Sequence, residues 1–261
     1  MFDSQRFTNA DQHQTAYAEK GAGDTTLVFV HGWSCNRHFF RPQYEFFADS
    51  YHVLAPDLPG HGESDTGGDE WSIESYAQRI AELVAAKGGS QTVLIGHSMA
   101  GAVVLEAIKY CQGKVKAVVL ADTHVFDYGH LDEAQVDGFI HPMRADLQGF
   151  INNLVDNTLP EKRPEALASW IKQEMYSIPK SVAIPAFESL LHWDAMPSLD
   201  QAEIPVIAIH GKLIDNTALQ RYQDKMRHYK MAEAGHFLQL EDPDAFNLLL
   251  QQALLENRVA E

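Results

Sequence analysis

Apolar runs of strand length alternate along this chain with longer stretches whose apolar residues recur at helical spacing. "TLVFVHG", from Thr26 to Gly32, reads as a buried strand that ends in a glycine turn. "RHFFRPQYEFFADSY" follows as a helix, with Pro42 near its start or in an irregular turn. "HVLAPDLPGHGES" gives a second short strand and a Pro/Gly loop. "SIESYAQRIAELVAAKGG" predicts a helix capped by Ser72, with Glu74 nearby, and stopped by glycine. Strand "TVLIGHS", helix "AGAVVLEAIKY" and strand "VKAVVLAD" complete four strand–helix alternations before Asp122. The pattern resumes late with strand "IPVIAIHG", helix "TALQRYQDKMR", strand "HYKMAEAGH" and helix "PDAFNLLLQQALLENR". "RFTNADQHQTAYAEKG" is expected as an antiparallel edge hairpin. Such alternation predicts an α/β protein with a mostly parallel sheet between layers of helix.

The alternation stops between Asp122 and Ile204. "EAQVDGFI", "ADLQGFINNLVDNTL", "PEALASWIKQEMYS" and "SVAIPAFESLLHW" are helical in pattern and rich in Phe, Trp, Met and Leu. An all-helical insert between two sheet strands reads as a cap. The expected division is therefore a core of residues 1–124 and 197–261 and a cap of residues 125–196.

Composition narrows the function classes. At 261 residues, 45% hydrophobic and 21% charged, the chain fits one globular domain with an insertion. Its formal charge of −16 repels phosphate backbones and anionic lipid heads, so no nucleic-acid or membrane partner is expected. No apolar run approaches the roughly 18 to 20 residues that span a bilayer. "MFDSQRFTNADQHQTAY" has neither the basic nor the apolar region of a secretory leader. Cys35 and Cys111 are too few for a disulfide framework, and a cytoplasmic protein with reduced thiols is expected.

Ligands of open parallel sheets bind beyond the C-terminal strand ends. The polar residues there are His31, Asp57, Ser98, Asp122, His210 to Asp215 and His236. They include a hydroxyl, candidate acids and a late histidine, which is the inventory for nucleophilic acyl transfer. A serine alcohol needs a base to take its proton, and the base needs a carboxylate to hold its tautomer. "GHSMAG" supplies a sharp strand-to-helix turn with Ser98 at its apex, and the helix then starts at Met99. An isolated G-x-S-x-A fits an ordinary buried serine or helix cap equally well. The accompanying "HGW" and "AGHF" tip the reading towards chemistry. No H-E-x-x-H or Cys/His ligand spacing occurs, so neither a metal nor another cofactor is expected.

Nearly the whole chain resembles the α/β-hydrolase superfamily. "FVHGWSCN", "DLPGHGES", "GHSMAG" and "AGHFLQLEDPDAFN" occur in that superfamily's order, with the helical insert at its usual place. The resemblance implies an α/β-hydrolase fold with a helical cap, Ser98 as nucleophile and His236 as base. It implies an oxyanion hole from the backbone N–H groups of Trp33 and Met99. It also makes "PGHGES" a structural turn, leaving His61 and Glu63 outside the chemistry. His97, beside the nucleophile, is expected to pack on the other face of its strand.

The acid is open between two residues. The usual Gly-x-x-Asp turn after the penultimate strand reads "HGKLIDNT" here, with Ile214 at the expected place and Asp215 one residue later. Asp122 stands at the end of "KAVVL", where some relatives, including a group of haloalkane dehalogenases, carry their acid. Asp122 needs no bulge and is preferred. Each also has a plainer reading, as a loop cap for Asp122 and a solvated turn residue for Asp215.

Ser98 argues against the dehalogenases and epoxide hydrolases of this fold, which use an aspartate nucleophile. The expected reaction is carboxylesterase-type hydrolysis of a small to medium neutral ester through an acyl-enzyme. Carbon–carbon bond hydrolysis, another triad reaction and a small-molecule sensor are the alternatives. Phe126, Phe139, Met143, Trp170, Phe187 and Trp193 are the candidate substrate-binding residues of the cap, beside Trp33. A monomer or homodimer acting on a small molecule is expected.

Overall fold

In the computed structural model, residues 3–66, 70–111, 113–162 and 164–259 are described. The strands are β1 (Gln5–Thr8), β2 (Gln14–Lys20), β3 (Thr25–Val30), β4 (His52–Pro56), β5 (Gln91–His97), β6 (Val115–Ala121), β7 (Val206–His210) and β8 (Arg227–Lys230). They form one eight-stranded sheet in the order β1-β2-β4-β3-β5-β6-β7-β8. β1 pairs antiparallel with β2, and β2 with β4, so the edge hairpin is present. Every other pairing is parallel.

The unbroken apolar runs follow from burial on both faces of a parallel sheet. Val28, Val30, Leu94, Val118 and Leu120 enter one core, packed on α2 (Ile73–Lys87) and α3 (Met99–Ala107). Their neighbours Leu27, Phe29, Val93, Ile95, Val119 and Ala121 enter the other. Phe47, and Phe246 and Leu250 near the C-terminus, close that second core.

Helix ends obey their signals. Ser72 caps α2 through the amide of Ser75, in a capping box completed by Ser75 rather than Glu74. The segment after β3 differs from the single helix expected there. Asn36 caps a 3-10 turn over Arg37–Phe40, and α1 (Arg41–Phe47) follows with Pro42 in its first turn, where no amide is needed.

Between β6 and β7 the described residues form helices only: α4 (Glu133–Ala145), α5 (Leu147–Thr158), α6 (Glu165–Met175), α7 (Lys180–Leu191) and α8 (Met196–Gln201). α8, which the pattern does not announce, starts at the last residue of the expected insert. After β7 come α9 (Asn216–Tyr222), a one-turn α10 (Leu238–Glu241) and α11 (Pro243–Glu256). β8 is shorter than "HYKMAEAGH" suggests. The chain leaves the sheet after Lys230, where Met231 donates to the His210 carbonyl and Ala234 turns back on Met231. That turn carries His236 over the strand ends. No helix of the described residues is long and apolar enough to cross a membrane.

Candidate active site

Ser98 sits between β5 and α3 with φ 55° and ψ −122°, in the positive-φ region that residues other than glycine avoid. Two glycines make the turn possible. A Cβ on Gly96 would lie 2.2 Å from the Ala100 carbonyl oxygen, and one on Gly101 would lie 1.8 Å from Thr123 Oγ1. The methyl of Ala100, by contrast, is fully buried in the core. The steric demand therefore falls on Gly101, one residue beyond the position that the motif draws attention to. The Ser98 amide donates to the Ala121 carbonyl at 2.8 Å, and the Ser98 carbonyl accepts from Gly101. Both ties hold the elbow against β6 and α3.

His236 meets this elbow from the loop between β8 and α10. Its Nε2 lies 2.9 Å from Ser98 Oγ, and its Nδ1 lies 2.7 Å from Asp122 Oδ2. A carboxylate has only acceptors, so Nδ1 carries the proton and Nε2 is left to accept from the serine hydroxyl. Asp122, 1% exposed and with φ 49°, follows β6 directly. Its second oxygen accepts from the Gly211 amide at 2.7 Å. Both lone-pair faces of the carboxylate are thereby engaged inside the protein.

Asp215 stands elsewhere. It is the N-cap of α9, where its Oδ1 accepts from the amides of Thr217 and Ala218 at 2.8 and 2.9 Å. It needs no bulge to do so, because the missing Gly-x-x-Asp turn leaves it as an ordinary helix cap.

The loop after β3 closes the other side. Leu58 N–H donates to His31 Nε2, so His31 Nδ1 carries the proton and donates to the Gly32 carbonyl at 2.9 Å. Cys35 N–H donates to the same carbonyl. Burial lowers the His31 pKa to about 4, keeping this neutral arrangement. A Cβ on Gly32 would meet Ser98 Cβ and His97 at 3.1 Å, so the loop lies directly against the elbow. His97 does more than pack: its Nε2 donates to the His236 carbonyl at 2.7 Å, and burial beside His236 holds its pKa well below the usual value. The "PGHGES" turn is structural, with buried Asp57 paired to Arg37 and accepting from the Glu63 amide.

A cavity of about 60 Å³ opens on Ser98 and His236. Of the predicted binding residues, Trp33, Phe126 and Phe187 line it. Phe139 stands behind them, its ring 5.0 Å from Phe126 and 6.0 Å from Phe187. Met143, Trp170 and Trp193 are not among its walls. Met143 is fully buried in the core, Trp170 packs on Phe39 at 4.9 Å, and Trp193 donates to buried Glu106. Aromatic pattern alone does not tell a wall from the packing behind it. Tyr128, Leu154, Thr158 and Met175 line the cavity without having been anticipated. The signal for Leu154, Thr158 and Met175 in sequence is only the helical period of the insert, and Tyr128, in a turn before the first of those helices, has none. Among the described residues, no group of three or more His, Cys, Asp or Glu side chains is disposed to hold a metal ion.

Comparison with known proteins places these features in a family. The profile of the alpha/beta hydrolase family matches residues 27–247. The AB hydrolase superfamily protein YisY of Bacillus subtilis is 21% identical over 262 residues, spanning 94% of this chain and 97% of its own. The pimeloyl-[acyl-carrier protein] methyl ester esterase of Sodalis glossinidius is 25% identical over 206 residues, 74% of this chain and 77% of its own. An esterase from Exiguobacterium antarcticum superposes with a TM-score of 0.87 at 18% identity, covering 97% of this chain and all of that one.

Proposed function

The chain belongs to the alpha/beta hydrolase family and has its fold, and from that premise we propose that it hydrolyses small to medium neutral carboxylic esters through an acyl-enzyme on Ser98. The observation that carries this reading is the hydrogen-bonded chain Ser98–His236–Asp122, drawn from three separate strand ends. His236 Nε2 takes the Ser98 proton as Oγ attacks the ester carbonyl carbon. The same nitrogen returns that proton to the departing alkoxide oxygen. Water then repeats the cycle in reverse and releases the acid. Asp122, rather than Asp215, holds the Nδ1–H tautomer and stabilises the imidazolium that forms in each half.

The developing oxyanion is received by the amides of Trp33 and Met99. In a trans peptide the N–H points opposite to the carbonyl. The Gly32 carbonyl is held by His31 and Cys35, so the Trp33 N–H on the same peptide faces the other way. The Ser98 carbonyl is drawn into α3 by Gly101, which leaves the Met99 N–H at the open end of that helix. Residues 125–196 act as the cap that roofs the site. Leu154 and Thr158 of α5, Met175 of α6 and Phe187 of α7 support this by lining the cavity. Its apolar wall of Trp33, Phe126 and Phe187 suits an uncharged group, and the esterases among the relatives support the ester bond as target.

The test is hydrolysis of p-nitrophenyl esters of graded acyl length, with Ser98→Ala as control. Turnover that Ser98→Ala abolishes, with covalent labelling of Ser98 by a fluorophosphonate, is the expected result. Neither turnover nor labelling in the folded protein overturns the reading.

A further inference from the structure

The tripeptide that carries His236 is held at five backbone atoms, one of them the Phe237 carbonyl, which accepts from the amides of Leu240 and Glu241. The Gly235 amide donates to Glu241 Oε2 at 2.6 Å, and the Phe237 amide donates to Glu241 Oε1 at 2.9 Å. The His236 amide donates to the Thr158 carbonyl at 2.9 Å, and the His236 carbonyl accepts from His97 Nε2 at 2.7 Å. A Cβ on Gly235 would lie 2.1 Å from the Thr158 carbonyl oxygen and 3.0 Å from Glu241 Oε1, so only glycine brings these acceptors so close. Phe237 is the N-cap of α10 and joins that helix through its carbonyl, but the amides on either side of His236 have no ladder or helix partner. Asp242, the next acid in "EDPDAF", has the ordinary duty of capping α11. Glu241 has no such duty.

We infer that Glu241 is a positioning residue, whose carboxylate bridges the amides on either side of His236 and so aims the imidazole at Ser98 and Asp122. The inference rests on the proposed role of His236 as base. Each tie is charge-assisted and therefore stronger than a neutral hydrogen bond. Displacement of a reacting group by about 1 Å can cost roughly 100-fold in rate, and a loop without regular structure is where such displacement would arise. The second effect is electrostatic. Burial raises the Glu241 carboxyl above the usual range, and the two amides and His236 work against that rise. Glu241 and Asp122 thus present two acidic groups to one imidazole. The other charged groups around Glu241 are Lys162, Lys230, Glu233 and Asp242, which share with it a cavity on the outer surface.

Glu241→Gln keeps the size but offers one acceptor to two amides and turns an NH2 group on the other. We expect kcat to fall by about tenfold or more with KM changed less than about twofold, the split of a defect in the reacting group. Loss of an anion disfavours the imidazolium, so the acid limb of the kcat/KM profile moves to lower pH. Glu241→Asp keeps the charge and loses the span, so kcat falls while the acid limb stays in place. A kcat within about twofold of the parent in Glu241→Gln overturns the inference. So does a fall that tracks a lowered Tm with the acid limb unmoved, which is the behaviour of a merely structural residue. A readout without substrate separates this from the underlying function: the His236 Nδ1–H resonance in NMR should broaden or vanish in Glu241→Gln. A sharp, unchanged signal refutes the clamp even if the protein hydrolyses no ester, whereas turnover surviving in Ser98→Ala refutes the function alone.

Discussion

Asp122→Asn separates the two candidate acids. The substitution keeps the shape of the side chain and replaces one oxygen by an NH2 group. Asp122 now accepts from two donors, the Gly211 amide at 2.7 Å and His236 Nδ1 at 2.7 Å. Asparagine can accept from only one side. If its oxygen stays with Gly211, whose backbone N–H cannot turn away, the NH2 group faces Nδ1. The ring must then accept at Nδ1 and carry its proton on Nε2, which points at Ser98 as a donor and cannot take the serine proton. If the amide flips, the NH2 group abuts the Gly211 N–H in a site only 1% exposed, at a cost of about 1–3 kcal/mol for the unpaired donor. The first arrangement wins on that cost, and it is the inactive tautomer.

The expected loss in kcat is about 10⁴-fold, or roughly 5 kcal/mol in the barrier. The assay is steady-state hydrolysis of a short p-nitrophenyl ester, with the Tm read in parallel. Asp215→Asn is the matched control, and its kcat should stay within about twofold, because asparagine caps a helix as well as aspartate does. Asp215→Ala should cost about 1 kcal/mol of stability and little activity. If Asp122→Asn keeps more than about a tenth of the parent kcat in a protein that Ser98→Ala inactivates, the tautomer argument is wrong.

Gly96→Ala drives a methyl to 2.2 Å from the Ala100 carbonyl oxygen and should lower the Tm severely or abolish soluble expression. Ala100→Gly should keep activity and lose about 2 kcal/mol in urea unfolding, from glycine inside a helix and the loss of a fully buried methyl. Burial lowers His31 and His124 from the ordinary 6.5 to about 4, and His61 and His210 to about 3. Between pH 6.5 and 4 the unfolded chain binds these protons and the folded chain does not, so stability falls as pH falls through that window. Urea unfolding at pH 6 and pH 5 should give a slope of more than about two protons, and a flat profile would contradict the neutral buried state. Phe187→Ala should shift the preferred p-nitrophenyl ester to a longer acyl chain, whereas Trp170→Ala should leave the preference alone, since only the first lines the cavity beside Ser98.

The parts of the molecule legible in the sequence are those set by short-range physics. The middle runs of β3 (27–30), β5 (93–95) and β6 (117–121) are unbroken and apolar because both faces of a parallel sheet are covered, and the Ser72 cap is a local hydrogen bond. The "GHSMAG" turn is likewise local, although its tightest contact, Gly101 on Thr123, depends on a neighbouring strand end. The insert was legible as helices but not as walls. Phe187 and Met143 carry the same helical period, yet one faces the cavity and the other the packed interior. That distinction is made by how four helices settle against one another, which no window of sequence contains. Glu241 was hidden for the same reason: its partners are backbone amides, and backbone amides have no letter.

The carboxylate that meets His236 shows how a tertiary fact can override a local motif. β6 and β7 are neighbours in parallel, so the residues that follow them, Asp122 and Gly211, emerge side by side. Neighbouring strands are about 4.8 Å apart, which is within reach of one carboxylate. A carboxylate that follows β6 therefore reaches the His236 loop, as one that follows β7 would. The vacated place supplies the Gly211 amide instead, which fixes the carboxylate's second oxygen. Asp215 had the sequence position of the customary acid within one residue, but α9 begins there, and two amides claim its oxygen before any imidazole can. The competition is between a local cap and a strand end. The cap takes Asp215 because its donors are two and three residues away in the chain, and Asp122, with φ 49° at the end of a buried strand, is left facing the ring.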